Sequence, residues 1–172
     1  MNTKTKLLTR SGLLIALGII LPFIAHMTGI GGRVLLPMHL PPLLAGFLVG
    51  PFYALVVGFI LPPLNMAVSG MPPMPTMALM SLELAVFGLI TGLLYKKINV
   101  FLSLLAAMLT GRIVYYLAFA LFIEFGNPLI MMGSGIVTGL PGIISQLVLV
   151  PVIVYALEQR EQTYTSLVSH SA

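Results

Sequence analysis

Glu83 is the one charged side chain between Arg33 and Lys96, in the apolar stretch that follows Gly70-Met71-Pro72-Pro73-Met74-Pro75. A carboxylate in hydrocarbon is costly unless it is paired, hydrated or neutralised, so its position marks a functional site by default. Arg112 is a second anomaly, in the next apolar stretch, and a guanidinium cannot escape the same cost by losing its proton. The two either pair across neighbouring helices as a structural ion pair, or one or both contact a ligand; an ion pair can also line a pocket. His39 lies just before a third apolar segment, where a histidine is either a hydrogen-bonded interfacial residue or a ligand contact. Asn65 and Gln146 offer amide donors and acceptors to a polar heterocycle or to a neighbouring helix. Tyr115 and Tyr116, one turn beyond Arg112, either stack on a planar ligand or pack. This chemistry suits recognition of a small polar molecule. With no Asp, and acids only at Glu83, Glu124, Glu158 and Glu161, there is little material for acid catalysis, and no catalytic residue is assigned.

The elements that must hold these groups are membrane helices. The chain is 59% hydrophobic and 7% charged, with mean hydropathy +1.10, and its apolar runs repeatedly exceed about 18 residues. The expected fold is an all-α integral membrane protein of about six transmembrane helices, a single transmembrane domain over 1–172. Residues 1–6 form a cytoplasmic N-terminus and 158–172 a polar cytoplasmic tail. The absence of Cys excludes disulfides and thiolate metal sites, and His26, His39 and His170 have no ligand spacing, so no metal and no cofactor are expected. The pI near 9.6 does not imply nucleic acid, because the cations are scattered at segment ends.

The spans are expected near 7–27, 41–49, 52–68, 76–95, 100–125, and a sixth ending near 157. Residues 132–140 are glycine-rich and read as a loop, a broken helix or part of the sixth span. Lys4, Lys6 and Arg10 precede an apolar run as in a secretion signal, but no small-x-small cleavage site follows, so the run reads as a retained first helix. A cytoplasmic N-terminus puts Lys4, Lys6, Arg10, Lys96, Lys97 and Arg160 inside and Arg33 outside, as the positive-inside rule requires. The proline loop and the glycine-rich loop 29–32 then face outward, the latter as the better candidate for a moving lid. Glu83 lies about seven residues into its span, roughly 10 Å deep at helical rise. In the first span Gly12-x-x-x-Ala16 and Gly18 let another helix approach closely.

Over most of its length the chain resembles the substrate-binding S components of energy-coupling factor (ECF) vitamin transporters. The resemblance rests on about six spans in this length and on the small-xxx-small first helix. It rests also on Met38-His39-Leu40-Pro41-Pro42-Leu43-Leu44-Ala45-Gly46-Phe47-Leu48-Val49-Gly50-Pro51 and on the span from Glu83 to Gly92-Leu93-Leu94-Tyr95-Lys96-Lys97. In that family the first-helix motif is usually Ala-xxx-Ala and docks on a coupling membrane subunit; here Gly12 replaces the first Ala, and docking carries over to Gly12 and Ala16. The resemblance implies a binding subunit without its own ATPase, which works with a coupling subunit and two ATPases in the bacterial cytoplasmic membrane. It also implies an outward pocket built by later helices, capped by the loops after the first and third spans, and a subunit that topples to release substrate. Independently, the sequence has no Gly-x-x-x-x-Gly-Lys-[Ser/Thr] loop.

The substrate expected is a small water-soluble vitamin or precursor. A pyridoxine-like or hydroxymethylpyrimidine-like ring that donates to Glu83 is favoured, and pantothenate is next, since its carboxylate would need Arg112 uncommitted. The expected substrate-binding site is Glu83, Arg112, His39, Asn65, Tyr115 and Gln146; membrane lipid is an expected partner of the protein as a whole, and nucleic acid is not. The competing readings are a small intramembrane enzyme using Glu83, His39 and Arg112, and a scaffold or channel subunit.

Overall fold

The computed structural model describes residues 2–27, 36–122 and 128–170. Six α-helices follow one another: α1 (Thr3–Met27), α2 (Leu40–Val49), α3 (Pro51–Ser69), α4 (Thr76–Leu94), α5 (Val100–Phe122) and α6 (Pro128–His170). A 3-10 turn, Pro37–His39, leads into α2, and there is no strand among the described residues. Five of the helices contain stretches long and apolar enough to cross a membrane, Thr3–Ala25, Pro51–Ser69, Thr76–Leu94, Val100–Phe122 and Val137–Arg160. The chain is therefore an all-α, multi-pass membrane protein.

Local chemistry explains the breaks. Prolines 37, 41 and 42 occupy the turn and the first turn of α2, where a missing N–H costs nothing. Gly50, at φ 85°, joins α2 to α3 through a backbone angle that side-chain-bearing residues rarely adopt. Gly70, left-handed at φ 72°, caps α3 by donating its N–H to the Met66 carbonyl at 2.9 Å.

The structure decides one open reading and lengthens one span. The glycine-rich residues 132–140 continue as helix within α6, because glycine is tolerated where a whole segment is in hydrocarbon and the alternative exposes backbone groups. The helix also continues past 157 to His170, so the polar tail is helical over most of its length; at 43 residues α6 spans roughly 65 Å, about twice the hydrocarbon thickness. The loop 29–32, Arg33, and Gly126-Asn127, which were expected to form a lid, an outer cation and the end of the fifth span, lie outside the described residues.

α4 is the central element, packed against α3, α5 and α2, while α1 lies on α3 and α2, and α6 on α5 and α2. Glycine makes the central packing close. A Cβ on Gly58 would strike the Leu84 carbonyl, one on Gly88 the Ala54 carbonyl, one on Gly92 the Pro51 backbone, and one on Gly46 the Thr91 side chain. Backbones this close gain the van der Waals contact that drives association in lipid, where no hydrophobic force operates between helices. The core of Leu43, Leu44, Val57, Leu61, Leu84, Phe87 and Leu104 fills the space around this seam.

Candidate functional site

Glu83 projects from the second turn of α4 and is 1% exposed. Arg112 Nη1 on α5 lies 3.0 Å from its Oε1, with the arginine side chain 20% exposed. His39 Nε2 lies 3.7 Å from Oε2 on the other side. The histidine reaches this depth because α2 is short: ten residues cover about 15 Å, so its N-terminus ends within the hydrocarbon thickness instead of beyond it. Irregular backbone at membrane depth is tolerated where it is buried in protein or lines a cavity. Here the turn does both.

Phe87, one helical turn after Glu83, supports the arrangement. Its ring tilts against His39 at 5.6 Å between centroids, and Gly111 on α5 leaves room for it, since a Cβ there would collide with the ring. Tyr115 and Tyr116 meet edge to face at 5.2 Å. Tyr116 in turn depends on α6, where a Cβ on Gly135 would lie 2.6 Å from its hydroxyl.

These residues open onto a cavity of about 340 Å³. Glu83, Arg112, His39, Tyr115 and Tyr116 line it together with Thr76, Thr138, the methionines 38, 71 and 80, and the proline loop at Pro72 and Pro73. The volume suits a vitamin-sized molecule, and a mainly apolar wall with a few convergent polar groups is the usual constitution of a small-molecule site. Both ring nitrogens of His39 and both carboxylate oxygens of Glu83 are buried without a hydrogen-bond partner, so the Arg112 contact is an ion pair outside hydrogen-bond geometry. Buried polar atoms are nearly always bonded, and the exceptions concentrate where function needs them. The carboxylate can accept from a ligand donor, the guanidinium can donate to a ligand acceptor, and the imidazole can do either. Opposite charges on Glu83 and Arg112 leave the set without net charge when His39 is neutral.

Two of the expected contacts are elsewhere. Asn65 donates its amide to the Gly18 carbonyl of α1 and the Leu61 carbonyl of its own helix, both at 3.0 Å, and does not line the cavity. Gln146 does not line the cavity itself but donates to the carbonyl of Leu36, which does, at 3.2 Å. Sequence reasoning left out the walls: Thr76, Thr138, Met80 and Gly135 are unremarkable residue types in apolar helices, and only the packing shows which way they face. The proline loop beside Glu83 carried a usable signal, since the resemblance put a cap on the pocket at the loop after the third span, where Pro72 and Pro73 lie.

On α1 the small residues divide between two faces. Gly18 is buried against Leu61, whereas Gly12 and Ala16 are exposed, and a Cβ on Gly12 would meet nothing within 4 Å.

Neither curated proteins nor solved structures give a match to this chain. A family model does: that of the ECF transporter substrate-specific component matches residues 6–154, which takes in all five apolar spans apart from their ends. S components of this kind are substrate-binding transporter subunits for vitamin uptake that work with ECF membrane and ATPase modules. On the match over most of its length, together with its helices and its cavity, the chain belongs to the substrate-specific S components of ECF transporters.

Proposed function

We propose that this S component binds a pyridoxine-like or hydroxymethylpyrimidine-like vitamin or precursor and delivers it through an ATP-driven importer of the bacterial cytoplasmic membrane. The observation that carries the choice is the 3.0 Å Glu83–Arg112 pair. It engages the guanidinium that a carboxylate substrate would claim, and so favours a neutral or amine-bearing ring. Such a ring would donate a hydroxyl or amine to Glu83, accept from Arg112 or His39, and lie against Tyr115. Thr76 and Thr138 add hydroxyls to the same wall for its remaining polar groups.

Pantothenate is the second reading, supported by the part of Arg112 that remains exposed. Its carboxylate would take the guanidinium in competition with Glu83.

For transport, the exposed Gly12 and Ala16 face of α1 would dock on a coupling membrane subunit, with two ATPases supplying the energy; this chain would contribute no ATPase of its own. The deciding experiment is mass spectrometry of small molecules retained by the protein purified in detergent, followed by titration with pyridoxine, a hydroxymethylpyrimidine and pantothenate. Retention of a pyridine or pyrimidine, with binding at least about tenfold tighter than pantothenate, is expected. The reverse order would replace the first reading with the second, and failure of all three compounds would overturn both.

A further inference from the structure

Leu36 stands at the edge of the cavity in a left-handed conformation, φ 49° and ψ 45°, the one residue other than glycine with positive φ among those described. A branched, side-chain-bearing residue is rarely found there, and such conformations persist where the surroundings over-determine them. One neighbour removes the right-handed alternative, and two hydrogen bonds hold the carbonyl. Pro37 follows directly and disfavours the right-handed helical alternative for Leu36. The Leu36 carbonyl accepts the His39 backbone N–H at 3.0 Å, which closes the 3-10 turn. The same carbonyl accepts the Gln146 side-chain amide at 3.2 Å, from a residue 110 positions away on α6.

α6 holds the side chain of Leu36 as well. A Cβ on Gly139 would lie 3.1 Å from Leu36 Cδ1, so the helix can approach this closely because the position is glycine. Gly139 and Gln146 are seven residues apart, two turns along one face of α6. Thr138 and Gly135, at the upper end of the same helix, line the cavity. One helix thus supplies a wall of the cavity and grips, by carbonyl and side chain, the turn that presents His39. Gln146 is 2% exposed, and its amide nitrogen is spent on a carbonyl that already has a partner. A burial so specific calls for a reason beyond satisfying the Leu36 carbonyl.

We propose that Gln146 is a positioning residue: by holding the Leu36 carbonyl it fixes the left-handed turn that sets the His39 imidazole beside Glu83, and it makes that turn and the α6 wall move as one body. The consequence for ligand binding rests on the cavity being the substrate site. The positioning itself does not.

The test is residue-resolved amide hydrogen exchange on the full chain in detergent, with no ligand added, comparing the wild type with Gln146→Met and Gln146→Leu, which keep bulk and remove the donor. His39 is expected to exchange at least about tenfold faster in both variants while Gly88 and Thr91, in the central seam, stay within about twofold. Adding Leu36→Gly to Gln146→Met is expected to recover most of the His39 protection, because glycine adopts the left-handed angle without being held. A general loss of packing would not be recovered in this way. Unchanged His39 exchange, acceleration spread equally over the seam, no recovery with Leu36→Gly, or failure of both single variants to fold would each overturn the proposal. Since no ligand enters the measurement, a failure of the vitamin reading leaves its result intact.

Discussion

The seam where α2, α3 and α4 meet and the cavity beside it lie within one small membrane protein, yet they treat buried polar atoms in opposite ways. In the seam each such group has a nearby partner. Thr91 donates its hydroxyl to the Phe87 carbonyl at 2.8 Å and lies 3.1 Å from that of Gly88, and Asn65 closes the α1–α3 contact through the Gly18 and Leu61 carbonyls. In the cavity His39 and Glu83 keep buried nitrogen and oxygen atoms without hydrogen-bond partners. Lipid gives no water to unsatisfied groups, so helices in a membrane are held together by complete internal pairing and close packing. A region that departs from this rule must be carried by one that obeys it. α4 belongs to both: Gly88 and Gly92 lock it to α3, and two turns earlier the same helix holds Glu83 in the cavity.

The largest expected effect therefore comes from the seam. Gly58→Leu would drive a side chain into the Leu84 carbonyl, a backbone group that cannot move aside, and should cost more than about 3 kcal/mol and abolish the folded monomer. Size-exclusion chromatography in detergent reads this directly. A monodisperse variant with the wild-type melting temperature would show that the seam is not what holds α4.

Arg112→Ala comes next. It leaves the Glu83 carboxylate buried beside an apolar gap and should destabilise by about 3–5 kcal/mol as well as remove binding. The informative companion is the double variant Glu83→Met with Arg112→Met, which replaces the pair by apolar side chains. It should melt within about 1 kcal/mol of the wild type and bind no ligand. Recovery of stability without binding would place the pair on the functional side of the comparison; persistent instability would make it a structural element like the seam.

How much of this division could be read in the sequence depended on the residue type. Glu83, Arg112 and His39 stand out because charge or imidazole in an apolar segment carries an energetic penalty wherever it points, and the structure brings Arg112 to 3.0 Å and His39 to 3.7 Å from the Glu83 carboxylate. Asn65 and Gln146 look alike in sequence, each an amide within a span, and both lie outside the cavity lining. Their roles depend on which helix face they occupy and on what the neighbouring helix presents, and neither follows from spacing alone. The seam glycines did not announce their packing either: Gly46 and Gly92 belong to segments that carried the family resemblance, but what each admits follows only from the partner group it meets. The count and approximate bounds of the helices were legible from hydropathy, which for the glycine-rich stretch of α6 offered loop, broken helix and continuous span without choosing among them.

A smaller effect is expected from Glu83→Gln, which keeps the side chain's shape and removes its charge. Isothermal titration with the ligand retained on purification should show at least about tenfold weaker binding, roughly 1.4 kcal/mol, with a melting temperature lowered less than by Arg112→Ala, because the guanidinium left without its counter-charge is 20% exposed and keeps some hydration. Unaltered affinity in a stable variant would mean that the carboxylate serves Arg112 and not the ligand.

The smallest effect on the subunit itself should come from Gly12→Leu, although its effect on assembly should be large. A side chain at Gly12 enters open space, so folding and ligand affinity should stay within about 0.5 kcal/mol of the wild type. Gly18→Leu, six residues along the same helix, would strike Leu61, where the added Cβ alone already lies 2.5 Å from Cδ2, and should lower the melting temperature. The two variants separate the inward face of α1 from its outward one. If the exposed face docks on a coupling subunit, Gly12→Leu should abolish co-purification of that subunit and its ATPases while the isolated protein binds ligand normally. Intact complex formation would exclude Gly12 from the docking surface, and the exposure of this face would then reflect contact with lipid alone.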